Sequence, residues 1–182
     1  MNKTQEEVRI NQFVRFMEGY VPDEMIHWLR ETGFFTSPAS TKYHGNYEGG
    51  LFDHSLAVAK ELVCLTERLP LRWMNERSPY IVGMFHDLCK IDIYEKYPSP
   101  DPRNEFAFRY NDKSLLKGHG DKSVIMLSQW FKLTEEEILC IRYHMGAYET
   151  DDWDKLGKSI EKYPNVLYTH TADMIASRIR GI

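Results

Sequence analysis

The segment formed by residues 78–88 is apolar on nearly every side, yet it carries a histidine next to an aspartate, His86 and Asp87. Ser78 followed by Pro79 favours the start of an α-helix, because proline is well tolerated in the first helical turn. A helix that is apolar all round belongs in a protein interior. There an imidazole or a carboxylate costs free energy unless its polar atoms find partners. The sequence therefore predicts a central buried helix whose polar pair has a specific role.

Apolar residues recur at intervals of three and four in most of the remaining chain, which predicts further helices. These are expected at about residues 4–20, 22–33, 51–69, 121–130, 134–146 and 165–178. Capping boxes, in which side chains satisfy the first helical amides, are predicted at Thr4 and Thr134. Between residues 91 and 117, three prolines and an alternating apolar run favour a short β-hairpin or an irregular segment. The predicted fold is a compact all-α helical bundle with this insertion.

The composition is that of an ordinary globular chain. With 182 residues, 42% hydrophobic and 27% charged, it fits a single domain of residues 1–182 in which helices of residues 1–35 pack on the rest. A net charge of −4 argues against sequence-independent DNA binding, which depends on clustered Lys and Arg. The sequence shows neither a membrane span nor a secretory leader, so a cytoplasmic location is expected. Three cysteines are expected to be free thiols: Cys64, Cys89 and Cys140.

Four more residues with metal-binding side chains lie at or near the ends of apolar helical segments: His54, His119, His144 and Asp173. Imidazole nitrogens and carboxylate oxygens are the ligands that divalent transition metals favour, and separate helices can present them to one centre. Taken alone, His86 and Asp87 are equally compatible with a hydrogen-bonded structural pair. Their combination with four further residues favours a metal site.

The words around these residues carry more information. His54 follows Gly-Gly-Leu-Phe-Asp, the pair His86 and Asp87 stands within Phe-His-Asp-Leu-Cys-Lys, and Asp173 stands within His-Thr-Ala-Asp-Met-Ile-Ala-Ser. This ordered set, across residues 49–178, resembles the signature of the HD-domain superfamily of metal-dependent phosphohydrolases. The first word also resembles the start of HD domains in a bacterial 3′-to-5′ exoribonuclease family. The words around His119 and His144 resemble segments of small bacterial and phage HD proteins.

The resemblance implies an HD-domain bundle with one or two divalent cations, drawn from iron, manganese, magnesium, cobalt, nickel and zinc. By this pattern, the first cation is held by His54, His86, Asp87 and Asp173. Asp87 bridges to a second cation, for which His119 and His144 are the expected ligands. Several two-metal members have two consecutive histidines where this chain has His144 and Met145. Because a thioether is a poor ligand for a hard cation, the second site is expected to be weaker or completed by water.

Other residues are candidates for supporting roles. Lys90, one helical turn after His86, is expected to pair with a phosphate oxygen of the substrate, the alternative being a solvated cation near a helix C-terminus. His170 is a candidate to orient Asp173 without binding the cation itself, although a purely structural role is the simpler interpretation. His44 is a candidate to line the pocket. Four cations are candidates to surround its mouth: Arg109, Lys113, Lys117 and Arg142.

The expected function is hydrolysis of a phosphate ester, of a nucleotide or another small phosphorylated metabolite, by a metal-activated water. A single-strand 3′-to-5′ nuclease is a second reading, although the acidic chain lacks a separate nucleic-acid module. A nucleotide-binding sensor that does not turn its ligand over is a third, and a purely structural helical protein is a fourth. The expected partner is a small phosphorylated molecule rather than a membrane. Oligomeric state is left open by the sequence.

Overall fold

The computed structural model describes residues 3–116, 118–146 and 152–182, with side chains described from residue 5 onward. At its centre, helix α3 (Gly50–Arg68) packs against helix α4 (Ser78–Phe85). Seven of the eight α4 residues are buried, as the apolar sequence predicts. The two helices approach closely because Gly83 has no side chain: a Cβ there would lie 2.5 Å from the Cα of Ala59.

The remaining elements surround this pair. Along the chain they are α1 (Lys3–Phe16), α2 (Asp23–Glu31), α5 (Lys90–Ile93), β1 (Tyr94–Pro98), β2 (Phe106–Tyr110), α6 (His119–Leu127), α7 (Glu135–Arg142), α8 (Trp153–Lys162) and α9 (Asn165–Met174), which continues as a π-helical segment (Ile175–Ile179). The strands form one antiparallel hairpin in which Tyr94 pairs with Tyr110 and Pro98 with Phe106. The prediction of an all-α bundle with a hairpin insertion is confirmed.

The N-terminal helices share the core of the bundle. Phe13 of α1 is fully buried and meets Phe35 and Phe85 edge to face, with ring centroids 5.5 and 6.1 Å apart. Edge-to-face contacts of this kind suit the charge distribution of aromatic rings. One hydrophobic cluster therefore joins α1 and α2 to the central helices.

Some of the local predictions are confirmed by the structure, and others are not. The capping box at Thr134 is present, with Thr134 and Glu137 bonding each other's backbone amides, whereas the side chain of Thr4 lies outside the described residues. The cysteines are free thiols, as predicted. The final helix was expected to run to residue 178, but its α-helical part ends at Met174. Helix α8 was not predicted, because few apolar residues mark its sequence.

The expectation that His86 and Asp87 lie inside the central helix is wrong. Helix α4 ends at Phe85, and the pair occupies the turn that follows. The amide of Leu88 donates to the carbonyl of Phe85, and that of Lys90 to Asp87, so the bonds now span three residues. This tighter turn carries the polar pair out of the apolar helix and towards α3 and α9.

Within the described residues, no helix is both long and apolar enough to span a bilayer.

Replacing Gly83 with alanine is expected to reduce the free energy of unfolding by about 1–3 kcal/mol, because the new methyl group meets backbone atoms of α3 that cannot move aside. Gly157→Ala is the matched control. A Cβ at Gly157 meets nothing within 4 Å in α8, so this variant is expected to gain roughly 0.5–1 kcal/mol. Urea denaturation measures both. Equal effects of the two substitutions would contradict the close packing of α3 on α4.

Candidate metal centre

Five of the predicted ligands converge on one buried point from four parts of the fold. His54 lies in the second turn of α3, His86 and Asp87 follow α4, His144 follows α7, and Asp173 lies in the last turn of α9. The three histidines have no exposed surface, while Asp87 is 2% and Asp173 8% exposed. Helix ends thus deliver imidazoles and carboxylates to an interior position.

The distances between the ligand atoms suit a divalent cation. His54 Nε2 lies 3.2 Å from Asp173 Oδ1 and 3.6 Å from Asp87 Oδ2, and His86 Nε2 lies 3.4 Å from Asp87 Oδ2. Two ligands that each lie about 2.1 Å from one ion are separated by at most about 4.2 Å. Two overlapping groups have ligand atoms within 4.8 Å of one another: His54, His86 and Asp87, and His86, His144 and Asp173.

Backbone carbonyls fix the orientation of the three imidazoles. Nδ1 of His86 lies 2.8 Å from the carbonyl of Gly83, and Nδ1 of His144 lies 2.7 Å from that of Ile141. Nδ1 of His54 lies 2.9 Å from the backbone oxygen of Ile182. A carbonyl only accepts hydrogen bonds, so each Nδ1 carries the hydrogen and donates. In the neutral rings Nε2 then has a free lone pair that faces the carboxylates, as a metal ligand requires.

Two buried atoms at the centre have no hydrogen-bond partner within the described part of the chain: Asp87 Oδ1 and His144 Nε2. They lie 3.4 Å apart. Because Nδ1 of His144 holds the hydrogen, this approach places two lone pairs against each other. A buried polar atom without a partner is costly. A cation between these atoms would satisfy both, so the donor set fits a divalent metal.

Both carboxylates are ionised at neutral pH. Burial alone raises the pKa of Asp87, but the Lys90 ammonium and the neighbouring His86 outweigh it and hold the pKa well below its usual range. Burial also opposes ionisation of Asp173, yet its contact with His54 lowers its pKa. The centre therefore offers two negative charges to a cation.

Lys90 is buried rather than solvated, so the alternative of a solvated cation is wrong. Its Nζ lies 2.6 Å from Asp87 Oδ2, and 7% of the residue is exposed. Burial lowers the pKa of Lys90, but the adjacent Asp87 charge more than compensates, so the ammonium stays protonated. In this arrangement Lys90 supplies the positive charge that Asp87 needs. The predicted contact between Lys90 and phosphate stays a prediction.

His119 is not brought into either group of ligand atoms among the described residues. It is the first residue of α6 and lines a separate small pocket together with Arg142 and Met145. Met145 lines the cavity of the metal centre as well. Met145 thus borders both cavities. The assignment of His119 to a second cation stays a prediction.

His170 and His44 both border the cavity at the centre. Nδ1 of His170 lies 2.7 Å from the backbone carbonyl of His144. His170 therefore supports the turn that carries His144, and its predicted role in orienting Asp173 stays a prediction. The ring of His44 lies 4.9 Å from that of His54. Burial, together with the adjacent His54, lowers the pKa of His44 to about 4, so its ring is neutral near pH 7.

The cavity has a volume of about 150 Å³ and reaches Asp87, Lys90 and Asp173. Three of the four cations expected at its mouth do not line it: Arg109 pairs with Glu95, Arg142 pairs with Asp121, and Lys113 lies elsewhere. The fourth, Lys117, lies outside the described residues. The cavity is lined instead by Arg178, which sequence reasoning missed, together with Met174 and Ser177.

Comparison with known protein families gives one match. A family model described as HD domain matches residues 51–177, which is more than half of the chain. Among curated proteins and solved structures, none matches the chain significantly. The matched residues begin just before His54 and end after Asp173, so they include the whole centre.

Lys90→Met is expected to lower the free energy of unfolding of the metal-free protein by about 3–5 kcal/mol, since it leaves the Asp87 charge buried without its cation. Mn²⁺ is expected to shrink this difference from the wild type, because a bound cation replaces the missing charge. Urea denaturation in chelator and in Mn²⁺ measures the difference.

Lys122→Met provides the control, since Lys122 is also buried, at 2% exposure, and pairs with Asp92 away from the centre. It is expected to destabilise the protein by an amount that Mn²⁺ does not change. If Mn²⁺ left the effect of Lys90→Met unchanged as well, Asp87 would not be a metal ligand.

Proposed function

Because the chain belongs to the HD-domain family, whose members are generally metal-dependent phosphohydrolases, we propose that it hydrolyses a phosphate ester of a nucleotide or another small phosphorylated metabolite. One observation carries the proposal: three buried imidazoles, each fixed by a backbone carbonyl, direct Nε2 towards two ionised carboxylates. A structural histidine cluster has no need for three identically oriented rings. A cation site needs this orientation.

The first cation is proposed to bind His54, His86, Asp87 and Asp173. A second, with Asp87, His144 and His119 as ligands, is proposed to bind more weakly, because His119 lies outside the described ligand groups and Met145 adds no hard donor. When bound, a divalent cation supplies an electrophilic centre for a phosphoryl oxygen and a water of lowered pKa. The nitrogen and oxygen donors accept iron, manganese, magnesium, cobalt, nickel or zinc.

The residues of the chain contribute three further functions. Asp87 stays ionised in its buried position and so remains a ligand and a hydrogen-bond acceptor at neutral pH. Lys90 pairs with Asp87 and borders the cavity. A cation bound to Asp87 would neutralise the carboxylate, and the Lys90 ammonium would then be free to pair with a phosphate oxygen. Met145 and Met174 give the cavity an apolar wall that limits the access of bulk water.

Hydrolysis of an aryl phosphate tests the proposal. With Mn²⁺, the wild type is expected to turn the substrate over, and Asp87→Asn is expected to reduce kcat/KM by about a thousandfold, since metal catalysis contributes several kcal/mol. Asp53→Asn is the matched control. Asp53 adjoins His54 in sequence, but its oxygens lie 2.9 and 2.8 Å from the guanidinium of Arg9, and Asp53 belongs to neither group of ligand atoms. This variant is expected to retain most of the activity.

A panel of nucleotides, sugar phosphates and labelled oligonucleotides completes the experiment. Hydrolysis of only the oligonucleotides would replace the proposed function with that of a nuclease. Tight nucleotide binding without turnover across the panel and the metals would replace it with a sensor.

A further inference from the structure

Arg178 lines the cavity of the metal centre but is not paired with a ligand of that centre. Among the lining residues described in the structure, the cations are Lys90 and Arg178. Lys90 is held by Asp87 at 2.6 Å. Within the described ranges, no carboxylate forms an ion pair with Arg178, although its neighbour Arg180 pairs with Glu61. Arg178 is exposed to solvent, so its guanidinium is available to a ligand that enters the cavity.

Arg178 lies on the face of the last helix that borders the cavity. The lining residues of this helix follow the pattern i, i+3, i+4, i+7 and i+8: His170, Asp173, Met174, Ser177 and Arg178. Residues at this spacing share one face of a helix. The pattern continues into the π-helical segment Ile175–Ile179, so Asp173 and Arg178 border the same cavity.

The size of the cavity limits what it can hold. Its volume of about 150 Å³ accommodates a phosphoryl group, and the substituents of a larger ester extend from the mouth of the cavity. A phosphodiester has two such substituents to place, and a terminal phosphomonoester has one. The cavity therefore favours the monoester.

We propose that Arg178 binds the phosphoryl oxygens of the substrate at the cavity mouth and makes the centre selective for terminal phosphomonoesters over diesters. The guanidinium presents paired N–H donors that match two phosphate oxygens. A monoester dianion offers three terminal oxygens and a larger charge than a diester monoanion. The inference rests on the proposed function for the presence of a phosphate ester, but its test does not require turnover.

Calorimetric titration of the metal-loaded protein at pH 8 tests the role of Arg178, with inorganic phosphate, methyl phosphate and dimethyl phosphate as probes. The metal is the one that supports turnover best, or Mn²⁺ if none does. Arg178→Gln is expected to weaken the binding of inorganic and methyl phosphate about tenfold, as the loss of a charge-assisted hydrogen bond implies. Binding of dimethyl phosphate, weaker from the outset, is expected to change less.

Arg180→Gln removes the same charge two residues away and is expected to leave all three affinities within about twofold, since exposed charges are well screened. Arg178→Lys keeps the charge but not the paired donors, so an intermediate loss is expected, and it replaces the glutamine variant if that variant folds poorly. The metal content of Arg178→Gln is measured alongside and is expected to equal that of the wild type. A residue with a merely structural role would not be expected to weaken phosphate binding while it leaves the metal content unchanged.

Equal phosphate affinity of Arg178→Gln and wild type would overturn the proposal. So would the absence of phosphate binding by the wild type, or an effect of Arg178→Gln on dimethyl phosphate or a dinucleotide that equals its effect on the monoester. Phosphate binding that depends on Arg178, in a protein that hydrolyses nothing, would refute the proposed hydrolysis and leave this inference intact.

Discussion

The buried charge of Asp87 is the constraint on which the centre depends. An ionised carboxylate in a protein interior loses several kcal/mol of hydration free energy, and only cations and hydrogen-bond donors arranged around it can offset this loss. Lys90 supplies part of this compensation by bonding one oxygen of Asp87, whereas imidazoles from three parts of the fold approach within 3.4–3.6 Å with Nε2 atoms that carry no hydrogen. The other oxygen has no hydrogen-bond partner among the described residues, which leaves a position for a metal ion.

The bundle meets this constraint through two repeated local devices. Helices α4 and α7 each end just before a histidine, and in both cases the imidazole bonds the carbonyl three residues earlier, at Gly83 and at Ile141. The turn that ends each helix thus also fixes the tautomer of the histidine that follows it. The close contact of Gly83 with Ala59 holds α4 against α3, which carries His54. The same contacts that pack the apolar helices therefore also orient the polar side chains of the centre.

The parts of the fold that the sequence predicts are those with a strong local signal. The apolar run of residues 78–88 specifies a buried helix, and alternation from Phe106 to Tyr110 specifies the hairpin. Helix α8 escaped prediction because only a few apolar residues, Leu156 among them, mark its buried side. The end of α4 at Phe85 was not predicted either, because the tight turn that follows contains no proline or glycine to mark the end of the helix.

At the centre, the family signature points to residues, whereas spacing alone does not determine their contacts. His170 lies three residues before Asp173, yet it bonds the carbonyl of His144, because a neighbouring turn approaches closer than its own helix neighbour. Arg178 was missed although it stands at helical spacing from His170 and Met174, because an exposed arginine near the end of a helix gives no local sign that it borders the cavity of a buried centre. Such contacts require coordinates.

Anomalous diffraction from crystals grown with Mn²⁺ would test the centre most directly. The account predicts a strong anomalous peak bonded to His54 Nε2, His86 Nε2 and the carboxylates of Asp87 and Asp173, with the three Nδ1 atoms still on their backbone carbonyls. A protein that binds Mn²⁺ only at surface carboxylates, with these four side chains free of metal, would contradict it.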